Sequence, residues 1–182
     1  MDSRRDRFGE VAPGLIEPLR RFLARRTDPA TAEDVLAETL LVCWRRAEDL
    51  PEPALPWAYG VARNCLRNAE RAARRQQRVA GRLAAEPPPA QPSLQSALQP
   101  TPPPDEDLAL HEALARLRPE EAELLRLWAW EQLTPAEIAV VLGITPNAVS
   151  IRLTRAKQKL SDRLRKTRAA AGHEESREGR RS

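Results

Sequence analysis

The sequence is poor in the residues on which several common classes of protein depend. Aromatic residues make up only 4% of its 182 residues, and it has only 7 glycines and 2 cysteines. Cys43 and Cys65 form no CxxC pair and have no histidine near them in the sequence, which argues against a disulfide framework and against a zinc site. We expect both cysteines to be small, buried, apolar residues.

Long apolar runs and catalytic groups are missing as well. No run approaches the roughly 18–20 apolar residues of a membrane-spanning helix, and the N-terminal stretch MDSRRDRFGEV lacks the apolar segment of a signal peptide. We find no Ser/His/Asp set, no phosphate-binding glycine loop and no cluster of metal ligands. These absences predict a cytoplasmic protein that is not an enzyme and that needs neither a cofactor nor a metal ion.

Helix-forming residues, by contrast, are abundant. Ala, Leu, Arg and Glu are common, β-branched residues are few, and no segment shows the alternation of a strand. This composition predicts an all-α fold. The net charge of +4 is modest, so the placement of the charges matters more than their sum.

One proline-rich segment divides the chain. The stretch EPPPAQPSLQSALQPTPPP, residues 86–104, has no helical period and almost no charge, as expected for an extended linker. It predicts two small helical domains, over residues 1–85 and 105–168, followed by a disordered tail over residues 169–182.

The first domain contains three segments with helical periodicity. Apolar residues at spacings of three and four predict the first helix, although Pro13 and Pro18 interrupt its first turns. Thr31, three residues before Asp34, resembles a capping box and predicts the start of the second helix. The prolines of the loop over residues 50–56 end that helix, and a third helix is predicted from near Trp57 to about Leu83.

The second domain carries clear signals for helix ends. Pro119 suits a first helical position, and TPAE at residues 134–137 is a full capping box. Gly143 follows the short helix that comes next, as a C-terminal glycine does. Thr145 then caps a final helix that has Pro146 in its first turn. Helix, glycine-containing turn and second helix together predict a helix-turn-helix motif.

The last helix has an apolar side and a polar, basic side. Val149, Leu153, Ala156 and Leu160 keep the inward spacing. The predicted DNA-reading positions are Thr145, Asn147, Ser150, Ile151, Arg152, Thr154, Arg155, Lys157, Gln158 and Lys159. Asn and Arg reach base edges in the major groove, and Arg and Lys also contact phosphates. A solvated surface helix is the simpler interpretation, but the position of the charges on a recognition helix favours DNA binding.

The first domain has two further surfaces of interest. Six arginines share one face of the third helix: Arg63, Arg67, Arg71, Arg74, Arg78 and Arg82. Like charges at this spacing repel one another unless a polyanion neutralises them. Trp57 and Tyr59 precede this row, and either could stack on unpaired bases or lie in the core. The second helix combines acidic and apolar residues, which suits docking to another protein.

At this point the segments AEDVLAETLLVCWRR, WAYGVARNCLRN and RLRPEEAELLRLWAWEQLTPAEIAVVLGITPNAVSIRLTRAKQKL resemble those of an extracytoplasmic-function (ECF) sigma factor of the sigma-70 family. The resemblance implies a sigma-2-like first domain and a sigma-4-like second domain. It further implies promoter DNA and bacterial RNA polymerase core, through its β′ clamp and β flap, as partners. An anti-sigma factor is a further partner that the family suggests.

The resemblance also assigns roles to residues. The helix with Asp34, Glu38, Leu41 and Arg45 would dock on the polymerase, and the recognition helix would read the −35 element. The −10 element would be contacted by Pro53, Ala54, Leu55, Trp57, Arg63, Asn64, Arg67 and Arg71. Ile151 departs from the family pattern, which places a small polar residue or a cation there.

Two alternatives for a DNA-binding or polymerase-binding chain stay open. A stand-alone helix-turn-helix regulator would use the second domain in the same way but would give the acidic second helix no role. An adaptor that binds polymerase without reading DNA would not depend on Arg152 or Arg155.

Overall fold

The computed structural model describes residues 2–83, 110 and 113–178. These residues form α-helices and one short 3-10 helix, with no strand among them, so the predicted all-α class is confirmed. The chain divides into two units, residues 1–99 with 140–143, and residues 100–139 with 144–182. The predicted linker over residues 86–104 lies outside the described residues.

The first unit is a bundle of three helices, α1 (Asp2–Ala24), α2 (Pro29–Arg45) and α3 (Ala54–Leu83), with a 3-10 helix at Ala47–Asp49. Helix α1 packs against both α2 and α3. The centre of the bundle is apolar, and the ring of Phe22 lies 5.0 Å from that of Tyr59.

The two cysteines are buried in this bundle without a disulfide, as predicted. Burial raises the pKa of the Cys43 thiol to about 11. The thiol is therefore neutral at physiological pH and behaves as an apolar side chain.

Helix α1 is continuous through both of its prolines, contrary to the expected interruption. Pro13 is exposed and Pro18 is half-buried. A proline ring crowds the carbonyl four residues before it, and here those positions are Gly9 and Gly14. The small residue leaves room for a local adjustment, so each proline removes one hydrogen bond without ending the helix.

The predicted start of α2 was wrong. Asp28 caps the helix, because its carboxylate accepts a hydrogen bond of 3.0 Å from the Thr31 N–H. Pro29 occupies the first turn, where the missing N–H costs nothing. Thr31 is therefore already inside the helix and does not form a capping box with Asp34. The same cap lowers the pKa of Asp28, chiefly because that backbone N–H stabilises the carboxylate.

The third helix also begins earlier than expected. It starts at Ala54 instead of Trp57, so Pro56 lies within the first turn, a position that tolerates proline. The loop between the 3-10 helix and α3 is correspondingly shorter than the predicted one.

The second unit contains α4 (Pro119–Ala129), α6 (Pro146–Glu178) and most of α5 (Pro135–Leu142). Its buried side chains come from all three helices: Ala122, Leu124, Leu125, Leu127, Ile138, Ala139, Val149, Leu153 and Ala156. The amphipathic helix predicted before Pro119 is described only in part, and residues 113–115 are helical.

The caps of the helix-turn-helix follow the predictions. Glu137 accepts a 2.8 Å hydrogen bond from the Thr134 N–H, and the Thr134 hydroxyl oxygen accepts one of 3.3 Å from the Glu137 N–H. Gly143 has φ of +66°, a left-handed conformation that favours glycine. The Thr145 hydroxyl oxygen accepts a bond from the Ala148 N–H, and α6 starts at Pro146.

Helix α6 continues to Glu178, past the predicted domain boundary at residue 168. The predicted disordered tail is therefore helical in backbone over residues 169–178, and residues 179–182 lie outside the described part of the chain.

Candidate nucleic-acid interface

Packing fixes which side of α6 faces outward. Val149, Leu153 and Ala156 are buried and hold one side of the helix against the rest of its unit, while Leu160 is half-buried. Of the ten predicted DNA-reading residues, nine are exposed and only Lys157 is half-buried. The predicted set therefore lies at the surface of α6 and its N-terminal cap, but its members differ in what their side chains contact.

Asn147, Arg152 and Arg155 form the first group. Within the described part of the chain, their side chains form no hydrogen bond or ion pair. Their donors are therefore available to base edges and phosphates, which Asn and Arg recognise in the major groove.

Three polar side chains form the second group, because they bond within their own helix. The Ser150 hydroxyl donates to the Pro146 carbonyl at 3.1 Å, and the Thr154 hydroxyl donates to the Ser150 carbonyl at 2.9 Å. Gln158 donates to the Asp162 carboxylate at 3.1 Å. The two hydroxyl groups would each have to leave an intrahelical bond before they could donate to DNA, whereas the Gln158 amide keeps a second N–H.

The third group, Lys157 and Lys159, connects α6 to α4. Lys157 Nζ lies 3.3 Å from the centre of the Trp128 ring, a cation–π contact. Lys159 Nζ donates a hydrogen bond to a carboxylate oxygen of Glu121. This hydrogen bond is the main reason that the pKa of Glu121 is lowered. These contacts set the position of the recognition helix against its neighbour.

Trp128 and Glu121 were not predicted from the sequence as partners of the recognition helix. Trp128 leaves 43% of its surface exposed. No local signal marks either contact, since the paired residues lie on different helices. The only hint at the contact between Trp128 and Lys157 is that one helix carries a tryptophan and the other carries lysines.

The arginine row of α3 is different in kind. The buried residues of α3 end at Leu66, and within the described side chains that follow, residues 67–78, none is buried. Arg67, Arg71, Arg74 and Arg78 are exposed and form no ion pair with any described residue, whereas Arg63 is half-buried. The side chain of Arg82 lies outside the described part. Glu70 is the only acidic residue among residues 67–78, so this half of the helix is a cationic surface with little internal neutralisation.

The residues before this row are only partly accessible. Pro53 is exposed in the loop, whereas Ala54 and Leu55 are half-buried in the first turn of α3. Trp57 is half-buried too, which is compatible both with stacking on unpaired bases and with a place in the core. Tyr59 is only 3% exposed and packs on Phe22, which makes it a core residue and removes it as a base-stacking candidate.

The predicted docking residues of α2 share one exposed face. Asp34, Glu38, Leu41 and Arg45 follow spacings of four, three and four, and all four are exposed. Leu41 exposes 47% of its surface, which is unusual for a leucine that is flanked by charged residues. An apolar centre with a charged rim is the arrangement of many protein-binding surfaces.

Other kinds of site find little support among the described residues. They contain no group of three or more His, Cys, Asp or Glu that could hold a metal ion. No single helix among them is both long and apolar enough to cross a membrane, and α5 with α6 pass that test only as a pair bent by 104°.

Comparison with known proteins adds family evidence to this geometry. The family described as sigma-70, region 4, matches residues 107–160. The chain is 33% identical over 143 residues to the ECF RNA polymerase sigma factor SigL of Mycobacterium tuberculosis, covering 74% of this chain and 76% of SigL.

A second relative is the "Probable RNA polymerase sigma factor RfaY" of Xanthomonas campestris pv. campestris. The two sequences are 31% identical over 148 residues, which is 78% of this chain. The match spans only 36% of the length of RfaY.

Two solved structures share the fold. The sigma factor RpoE of Bartonella quintana, in complex with the anti-sigma factor NepR, has a TM-score of 0.57 at 18% identity and covers 91% of this chain and 98% of its own. CnrH, in complex with the cytosolic domain of CnrY, has a TM-score of 0.52 at 21% identity and covers 85% of both chains.

Proposed function

The chain belongs to the ECF RNA polymerase sigma factors, and we propose that it binds core RNA polymerase and directs it to specific promoters. The observation that carries this proposal is the match with SigL, which spans most of both chains. The capped helix-turn-helix and the exposed faces of α2 and α3 supply the surfaces that such a role needs.

In this proposal α6 reads the −35 element as duplex DNA. Asn147, Arg152 and Arg155 supply hydrogen-bond donors that no intramolecular partner occupies, and the buried side of the helix holds them in one orientation. Lys157 and Lys159 act mainly through α4, because Trp128 and Glu121 already engage their ammonium groups.

The first unit contacts the −10 region. Asn64, Arg67 and Arg71 follow Trp57 along α3, and all three are exposed. Their side chains offer contacts to DNA phosphates. Pro53, Ala54 and Leu55 closely precede Trp57 in the chain. In this proposal these residues hold an unpaired base, and the ring of Trp57 stacks on it, because an aromatic ring can stack on any base.

The exposed face of α2 docks on the polymerase. Leu41 supplies an apolar centre, and Asp34, Glu38 and Arg45 supply the charges around it. By family resemblance the partner surface is the β′ clamp, and the second unit meets the β flap. Such a protein works in the cytoplasm, and it directs a catalyst without being one.

A transcription assay tests the function directly. Core polymerase would be given a library of linear fragments, with and without the full chain, and the 5′ ends of the transcripts would be sequenced. We expect defined start sites, preceded by shared −10 and −35 sequences, only when the chain is present. Start sites that do not change on addition of the chain would contradict the proposal.

Two variants separate this function from its alternatives. Leu41→Glu should abolish co-migration with core polymerase, whereas Ala24→Glu, at an exposed position of α1, should not. Arg152→Gln with Arg155→Gln should leave co-migration intact and reduce start-site selection. A stand-alone regulator would be insensitive to Leu41→Glu, and an adaptor would be insensitive to the arginine changes.

An anti-sigma factor that covered the polymerase-docking or DNA-binding surfaces would inhibit this function. The RpoE structure with the same fold is a complex with such an inhibitor. A pull-down from the host, scored for polymerase subunits and for one small additional protein, tests whether this chain has an inhibitor of its own.

A further inference from the structure

One exposed side chain on the reading face of α6 cannot form a hydrogen bond. Ile151 exposes 46% of its surface, although its neighbours on that face are polar or charged. It contributes nothing to the core, whose residues from this helix are Val149, Leu153 and Ala156.

The position of Ile151 on the helix is central to the outward face. An α-helix turns by about 100° per residue, so Ile151 lies roughly half a turn around the axis from the buried stripe. It sits four residues after Asn147 and four before Arg155, and these three side chains form one ridge. A helix lying in a major groove with its buried stripe turned away would point Ile151 at the base edges.

The chemistry of the groove then restricts what Ile151 can contact. Thymine alone presents an apolar group there, its C5-methyl, whereas the other base edges present donors and acceptors. An aliphatic side chain pressed on those polar edges would remove water from them without replacing its hydrogen bonds, which is unfavourable.

The adjacent residues do not offset this restriction. The hydroxyl groups of Ser150 and Thr154 donate to carbonyls of their own helix, so their donors are not available beside Ile151 without a loss. On the ridge itself, the polar groups that remain accessible are those of Asn147 and Arg155, one on each side of Ile151.

We propose that Ile151 selects thymine at one position of the −35 element by contact with its C5-methyl group. This inference rests on the proposed function, because it names the chemical group that the same surface reads. Asn147 and Arg155 then read the flanking base pairs, and Ile151 sets the identity of the pair between them.

Replacing thymine by uracil removes that methyl group and changes nothing else in the base pair. Promoter fragments would first be enriched with the full chain bound to core polymerase. Each thymine of the enriched upstream element would then be replaced singly by deoxyuridine, and holoenzyme affinity would be measured by competition.

We expect one thymine at which uracil weakens binding roughly fourfold, the effect of burying one methyl-sized group. Ile151→Ala should weaken binding to the thymine-containing fragment by a similar or larger factor and should abolish the difference between thymine and uracil at that position. Ile151→Val, which keeps a branched side chain, should retain part of the difference. Val140→Ala, at a similarly exposed position of α5, should leave it unchanged.

The outcomes distinguish this inference from the function on which it rests. Enrichment of an upstream element without thymine, or a uracil effect that is equal in wild type and Ile151→Ala, overturns the role of Ile151 and leaves the sigma-factor function standing. Failure of the holoenzyme to enrich any sequence overturns the proposed function and this inference with it.

Discussion

The two cationic helices of this chain, α3 and α6, achieve their positive surfaces in opposite ways. The second half of α3 carries exposed arginines that form no ion pair among the described residues. Helix α6 is held by buried residues on one side, and α4 engages two of its lysines.

This difference separates affinity from orientation. An unneutralised row gains free energy wherever it meets phosphates, because it releases condensed counterions, but it carries no sequence information. A helix fixed by its own unit presents a few unoccupied groups in one geometry, which sequence reading requires. We therefore expect α3 to dominate the salt dependence of promoter binding and α6 to dominate its specificity.

The largest expected effect comes from the α3 row. Replacing Arg67, Arg71, Arg74 and Arg78 together by glutamine should reduce the magnitude of the slope of log K against log salt by about 3.6, since each of four duplex phosphate contacts contributes about 0.9. Holoenzyme binding to a promoter fragment, titrated at several salt concentrations, measures this slope.

A control with the same loss of charge sharpens this comparison. Replacing Arg4, Arg5, Arg7 and Arg21 of α1 by glutamine removes as many positive charges, but from a helix with no assigned DNA contact. Its slope should stay close to that of the wild type. Equal slopes for both variants would mean that net charge, and not the α3 row, governs binding.

The next effect concerns a single side chain of α6. Arg155→Gln should weaken promoter binding by about 1–3 kcal/mol and relax sequence preference at one position if Arg155 contacts a base. Lys159→Gln should change preference little, because Glu121 already binds this ammonium group. Sequencing of fragments bound by each variant gives both quantities, and a broader preference for Lys159→Gln would contradict the division between these residues.

A smaller effect should follow from the contact between Lys157 and Trp128. A cation–π pair at an exposed site contributes about 0.5–1 kcal/mol. We expect a coupling free energy of this size in a double-mutant cycle of Lys157→Met and Trp128→Leu, measured by hydrogen exchange of α6 amides. Zero coupling would show that Lys157 is available to DNA in the same way as Arg155.

Features formed by residues that are close together in the sequence could be predicted, whereas those formed by distant residues could not. The caps by Thr134 and Thr145, and the turn at Gly143, were predicted correctly because each involves residues within a few positions of one another. The alternation of buried and exposed residues on α6 was equally local. The start of α2 had the same type of signal, a capping side chain followed by proline, at Asp28 and Pro29.

Contacts between helices were not predictable in this way. Lys159 and Glu121 are 38 positions apart, and nothing in either helix alone selects one glutamate among several. For the same reason, the sequence alone does not distinguish the recognition residues from one another, whereas packing separates those that contact α4 from those that remain accessible. Tyr59 was ambiguous until its contact with Phe22 placed it in the core.

The smallest expected effect is a pH dependence confined to the second unit. Lys159 lowers the pKa of Glu121 in the folded state, so this carboxylate binds a proton less readily when folded than when unfolded. The ion pair therefore stabilises the fold above the pKa of the unfolded state, about 4.3, and that contribution is lost as pH falls through the lower folded pKa. An exposed pair contributes only about 0.2–1 kcal/mol.

Hydrogen exchange of α4 and α6 amides between neutral and acidic pH measures this loss. Glu121→Gln should remove it, and Glu120→Gln, the adjacent exposed glutamate, should preserve it. Helix α3 belongs to the other unit, so exchange of its amides should not follow the Glu121 substitution. A loss of exchange protection at acidic pH that persists in Glu121→Gln would mean that this ion pair does not link α4 to α6. Trp128 and the buried residues would then hold the recognition helix in place without it.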